Sequence, residues 1–309
     1  MIGGGAWGLG LAAAAARSGT RVLLQSRRDL TGHLPSGVRQ AEDLAEVARE
    51  ARLIVLAVPS HVARDVARHL GDAIDGRHLV VHGIRGLADK DLVSISSILR
   101  EETPARRVGA LGGPILAEDL LAGRPCVLVC GSHYPEVNDA VTATFAGPAL
   151  RVYASDDLPG IEWASALVGC LAIAVGFGQE VGLHAGLIAT LVSRGVEEAA
   201  RIAASAGGDE RTLLGLAGYG DLLASISQRE RPEVLVGAAL ARGKTVAEAV
   251  AEAKERVEAV ELLPRIAAWA DAHGVNVPIF RALAARMLGG HAAGDIVHEL
   301  MITPPQRLH

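Results

Sequence analysis

Aromatic residues make up only 3% of this 309-residue chain, so aliphatic side chains rather than rings must build its interior. Cysteine is just as sparse. Cys126, Cys130 and Cys170 form no C-x-x-C pair and cannot all pair with one another, so they read as reduced packing residues of a cytosolic protein. Basic residues are in slight deficit, 30 Lys and Arg against 35 Asp and Glu, for a net charge of −5. No basic block stands ready to neutralise phosphates, which argues against nucleic acid as a main partner. No stretch of roughly 18 or more apolar residues reads as a membrane-spanning helix, so no membrane partner is expected. The Gly-rich start lacks the charged segment of a secretory signal, so none is expected. The histidines include no H-x-x-H or H-E-x-x-H pair. His78 and His82 lie four apart on a strand, too far to share one metal, so no metal site is expected. Neither a G-x-S-x-G elbow nor a P-loop is present.

What is there is an aliphatic chain, 50% hydrophobic and 21% charged, long enough for two domains of ordinary size. Strand-like apolar runs occur at Arg21–Gln25, Leu53–Val58, His78–His82, Pro125–Cys130 and Leu150–Tyr153. Helix-like segments at Trp7–Ser18, Ala41–Arg52 and His61–Leu70 alternate with them. That alternation predicts an α/β domain with a doubly wound parallel sheet over residues 1–155. After Asp156-Asp157 nearly everything has helical period and is rich in Ala, Leu and Val, so residues 156–309 are expected to form an all-α domain.

Gly3-Gly4-Gly5-Ala6-Trp7-Gly8 fits G-x-G-x-x-G. An amphipathic helix and then a strand follow it, the context a dinucleotide-binding Rossmann turn requires. Gly3 permits the tight turn, Gly5 lets the backbone approach a pyrophosphate, and Gly8 lets helix and strand pack closely. Only Met1-Ile2 precede the turn, where a strand of about five residues is usual. Either that strand is unusually short or the natural start lies upstream. After the second strand an Asp or Glu would bond the ribose 2′-hydroxyl of NAD. Ser26-Arg27-Arg28 stands there instead and suits a 2′-phosphate. NADP(H) is therefore favoured over NAD(H). The alternative is that Arg27 and Arg28 are solvated surface charges.

Further motifs resemble one family, the soluble NAD(P)-dependent glycerol-3-phosphate dehydrogenases of bacterial type. Ala57-Val58-Pro59-Ser60 looks like its A-V-P-S turn, and Gly112-Gly113-Pro114 with Ala117-Glu118 resembles its S-G-P-S segment. Leu216–Leu222 resembles its L-A-G-L-G-D-L. Gly243-Lys244-Thr245, Val257-Glu258 and Gly274-Val275 with Pro278-Ile279 follow in the family's order. The resemblance implies a Rossmann domain followed by a helical one, a cytoplasmic homodimer, a small phosphorylated substrate, and the reduction of dihydroxyacetone phosphate in glycerophospholipid metabolism. It places Gly3, Gly5, Ala6, Trp7, Gly8, Arg27, Arg28, Pro59, Arg85, Ala117 and Glu258 at dinucleotide contacts, and Asp221 and Arg85 in catalysis. Asp221 reads equally as a structural, helix-capping acid.

Other positions depart from the family pattern. The lysine of K-G-L is Arg85, and the A-L-K-N that carries the catalytic lysine reads Ala166-Leu167-Val168-Gly169. Ile115 replaces the second serine of S-G-P-S, and G-D-N is His184-Ala185-Gly186. The phosphate-gripping S-R-N-R has no clear counterpart, with Arg229 and Arg231 nearby. A lost general acid costs roughly 10²–10⁴-fold in rate. His184 and Tyr219 are alternative proton donors, and Ser225 and Ser227 are alternative site residues, though packing, capping or surface roles suit each as well. Three functions therefore stay open: the family's own reaction, reduction of another carbonyl compound, and non-catalytic NADP(H) binding.

Overall fold

A computed structural model describes residues 1–88, 91–228 and 230–288. They divide into two compact units, Met1–Ser165 and the residues from Ala166 on. The last strand ends at Ser155, and the division falls ten residues further on. The helix that follows gives its first two turns to the first unit.

The first unit runs α1 (Ala6–Arg17), β1 (Val22–Leu24), β2 (Val38–Gln40), α2 (Leu44–Glu50), β3 (Leu53–Leu56), a 3-10 turn at Ser60–Val62, α3 (Ala63–Gly71) and β4 (Leu79–His82). It continues through α4 (Ile95–Glu102), β5 (Arg107–Gly112), α5 (Ala117–Ala122), β6 (Cys126–Gly131), α6 (Pro135–Phe145) and β7 (Leu150–Ser155). Local chemistry marks the helix starts. The Asp43 side chain accepts from the Glu46 N–H to cap α2, and Ser94 does the same from Ser97 at α4. The strand runs are buried because helices cover them. Val55, Val81 and Leu128 join Leu11, Val141 and Phe145 in one apolar core.

Strands β3-β4-β5-β6-β7 form one sheet, and β1-β2 form a separate parallel pair. Ile2 lies between the two, bridging Gln25 on one side and Leu56 on the other. Its N–H donates to Val55 O at 2.8 Å and its carbonyl accepts from Ala57 N at 2.8 Å. Gln25 N donates to Met1 O at 2.9 Å, and Gly3 N to Gln25 O at 3.0 Å. The Met1 amino group is buried and donates to Leu23 O at 2.7 Å. Burial pushes that amine down to about 5.

The sheet is parallel except where β5 meets β6 antiparallel. The expected parallel sheet is present, with this one antiparallel pair as a departure from it. Helix α5 rises only about 9 Å, against about 20 Å for strand β5, so the chain re-enters the sheet at the end where it left.

The described part of the second unit is helical. It comprises the rest of α7 (Leu158–Glu180), α8 (Ala185–Ser205), α9 (Glu210–Leu214), a π-helical turn at Leu216–Gly220, α10 (Asp221–Ile226), α11 (Pro232–Ala241), α12 (Val246–Ala253), α13 (Glu258–Ala272) and α14 (Pro278–Met287). Helix α7 corrects the expectation that no stretch is apolar enough to read as a membrane span. It is 23 residues long, and an 18-residue window of it is apolar enough to cross a membrane yet wholly buried. Its composition is that of a core helix. The start of α14 is capped across the unit: the buried Glu198 of α8 accepts from Ile279 N at 3.0 Å and Phe280 N at 3.2 Å. Burial pushes its carboxyl up to about 7, against the pull of those two bonds.

Candidate functional site

The three glycines of the turn differ in what surrounds them. Gly3 has φ +117°, and a Cβ there would lie 2.2 Å from Ala57 O. A Cβ on Gly8 would lie 2.0 Å from Gly3 O, so helix and turn touch backbone to backbone. At Gly5 an added Cβ would meet nothing within 4 Å. Gly5 is the exposed N-cap of α1 and offers no side chain to the N–H groups of Ala6, Trp7 and Gly8. An uncapped helix N-terminus beside open space favours an anion.

Beside this turn lies the segment read as the cofactor selector. The Arg28 guanidinium donates to Gly4 O at 2.5 Å, and Arg28 N donates to Ser26 Oγ at 3.1 Å. Gln40, at the end of β2, pins the segment. It donates to Arg28 O and accepts from Leu30 N, both at 2.9 Å. Arg27 and Arg28 stay exposed at the glycine turn. Sequence reading missed the part played by Gln40, because β2 gives no apolar signal.

The remaining first-unit residues gather at the same end of the sheet. A Cβ on Gly3 would lie 3.3 Å from Val58, next to the exposed Pro59. Ala117 opens α5, where its carbonyl would lie 3.0 Å from a Cβ on Gly10. The indole of Trp7 lies against Gly83, where a Cβ would come within 2.5 Å of Nε1. That Nε1 is buried and has no hydrogen-bond partner among the described residues. Arg85 follows, partly buried, in the turn after β4. The ends of β1, β3 and β4 thus converge on the start of α1, the crevice where open α/β sheets bind ligands. The open side of Gly5, the uncapped helix and the orphaned indole N–H fit a dinucleotide.

A buried cluster behind Arg85 was not anticipated. Glu162 of α7 accepts from His82 Nε2 at 3.0 Å, Ser96 N at 2.8 Å and Ser96 Oγ at 2.7 Å. His82 and Glu162 are 1% and 2% exposed. Burial opposes the charge on Glu162, yet the His82 and Ser96 bonds hold its carboxyl below the usual carboxylate range.

In the second unit, Asp221 opens α10 after the π-helical turn and is 1% exposed. Ser225, one turn on, is buried, and its Oγ has no partner among the described residues. Val168 is buried on α7 and offers no polar group. A Cβ on its neighbour Gly169 would lie 3.9 Å from Glu233 Oε1. Arg231 donates from Nε to Glu233 at 3.0 Å and is largely buried, so that guanidinium already serves an ion pair. Arg229 lies outside the described residues. Glu258 opens α13 and is half-buried. His184 is exposed at the N-cap of α8, Tyr219 is exposed, and the exposed Ser227 bonds back to Leu223 O at 2.7 Å. In the first unit, the replaced serine position Ile115 is buried.

Comparison with known proteins covers both units. Residues 25–138 match the family described as NAD-dependent glycerol-3-phosphate dehydrogenase N-terminus, and residues 157–298 match the corresponding C-terminus. A glycerol-3-phosphate dehydrogenase (NAD(P)+) of Gluconobacter oxydans is 32% identical over 99% of this chain and 97% of its own. Its counterpart in Fusobacterium nucleatum is 29% identical over 98% and 96%. A solved glycerol-3-phosphate dehydrogenase of Coxiella burnetii, 25% identical, superposes with a TM-score of 0.90 over 98% of both chains.

Proposed function

The chain belongs to the NAD-dependent glycerol-3-phosphate dehydrogenase family, and from that premise we propose that it is an NADP(H)-dependent oxidoreductase that reduces dihydroxyacetone phosphate. The observation that carries this is the first-unit crevice, with its open Gly5, uncapped α1 and orphaned Trp7 N–H. The backbone of Gly3–Gly8 would hold the pyrophosphate. Ser26, Arg27 and Arg28 would hold the 2′-phosphate, with Pro59, Arg85 and Ala117 as further dinucleotide contacts; Glu258 is assigned to the dinucleotide on the family resemblance alone. A bound nicotinamide supplies the hydride. A guanidinium is a poor proton donor, so Arg85 would bind and orient an anionic substrate rather than give up a proton. Asp221 is assigned to the substrate as a polar contact.

One observation favours a second reading. Val168 and Ile115 are buried and apolar, and Arg231 is tied to Glu233. These features suit a carbonyl substrate less anionic than dihydroxyacetone phosphate.

The two readings separate in one assay. Absorbance of NADPH, and of NADH in parallel, is followed with dihydroxyacetone phosphate and then with a panel of keto acids, aldehydes and imines. Oxidation of NADPH by dihydroxyacetone phosphate supports the first reading. No oxidation above background with it, but turnover of a panel member, rejects the first and supports the second. Binding of NADPH without turnover of any of them rejects both and leaves a non-catalytic NADP(H)-binding protein.

A further inference from the structure

Glu162 is a buried carboxylate held by an imidazole, a hydroxyl and a backbone N–H. Such a group is a costly way to fill space, since apolar side chains of similar volume are often at least as stabilising. What it does have is position. Its partners are His82, the last residue of β4, and Ser96, in the first turn of α4. The other ring nitrogen of His82 faces Ile84 N at 3.4 Å. With Nδ1 accepting there, the ring carries its proton on Nε2 and donates it to Glu162. The imidazole is therefore fastened at both ends, once to α7 and once to the chain just before Arg85. On the other side of the same turn, Gly83 lies against the Trp7 indole. The two residues expected to meet the dinucleotide, Trp7 and Arg85, thus lean on a turn that His82 fixes from behind.

We infer that His82 and Glu162 are positioning residues that set the turn at 83–85, and with it the part of the cofactor site formed by Trp7 and Arg85, while leaving the Ser26–Arg28 part untouched. This rests on the proposed function only in requiring that NADPH binds. The Ser26–Arg28 segment is held by separate bonds, from Gln40 and Gly4, so the two parts can be tested apart.

Calorimetric titration with NADPH and with 2′-phospho-ADP, a fragment lacking nicotinamide, distinguishes them. His82→Leu is expected to weaken NADPH about tenfold, the scale of one lost hydrogen bond, and the fragment by less than about twofold. His82→Gln, whose amide can donate to Glu162, should bring NADPH affinity back to within about threefold of the unaltered chain. Ser96→Ala removes a donor to Glu162 but leaves the His82 bond. It should lower the unfolding temperature while holding NADPH affinity within about twofold. If His82→Leu does not fold, His82→Asn, too short to reach Glu162, takes its place. The inference is overturned if the His82 variants weaken both ligands equally, if they weaken neither, or if Ser96→Ala copies their binding profile. An unaltered chain that binds the fragment but not NADPH also overturns it, whereas one that binds neither refutes the proposed function and this inference with it.

Discussion

Gly5 and Gly8 stand three residues apart and meet opposite demands. The missing side chain of Gly8 is filled by Gly3 O, so Gly8→Ala forces helix and turn apart and should cost about 1–3 kcal/mol, the usual scale of overpacking. Gly5 has ordinary backbone angles, φ −78° and ψ 175°, and open space where a Cβ would stand. Gly5→Ala should leave the unfolding temperature unchanged yet weaken NADPH about tenfold or more, because the methyl occupies the path by which a pyrophosphate approaches. Thermal unfolding and titration of both variants check this pair, and NADPH binding by Gly5→Ala as tight as the unaltered chain would refute the cradle. These glycines were legible in the sequence because their requirement is local. His82 and Glu162 were not, because a contact across 80 residues leaves no trace in spacing. A histidine ending an apolar run looks the same whether or not a carboxylate waits behind it.

Among the elements, β3, β4 and β6 could be read directly because a strand buried on both faces is a run of aliphatic residues. Strand β2 is Val-Arg-Gln at a sheet edge, half-exposed, and β5 contains two glycines within Arg107–Gly112. Neither has a pattern to read, and pairing with neighbours alone makes them strands. The cap on α14 is equally silent in sequence, since Glu198 comes from a different helix. It nevertheless has a measurable signature. Its folded-state value of about 7 lies above the ordinary 4.5. Between those values the folded chain keeps a proton that the unfolded chain gives up. Stability is therefore full below the ordinary value and falls as pH rises through about 7, by about 3 kcal/mol at most. Urea midpoints of the unaltered chain and Glu198→Gln at about pH 5 and about pH 8 test this. The variant should lose that slope, and an unchanged slope would place the titrating group elsewhere.

At the scale of the molecule, the order of a Rossmann unit followed by helices was visible in the change of period near residue 155. The sequence shows how little of the chain given precedes the glycine turn, and the structure adds what Ile2 links. Ile2 is one residue wide, with a three-residue pair of strands on one side and five strands on the other. Cooperative opening follows the density of such links, and regions with few of them open at lower free energy than the core. The β1–β2 pair should therefore behave as a separate foldon. Amide hydrogen exchange is expected to be faster in Val22–Gln40 than in β3 and β4 for the ligand-free chain. If NADPH binds as proposed, across Ser26–Arg28 and the Trp7–Gly83 turn, saturating it should slow the small pair most. Equal protection of both parts without ligand would show that one residue is enough to make them a single cooperative sheet.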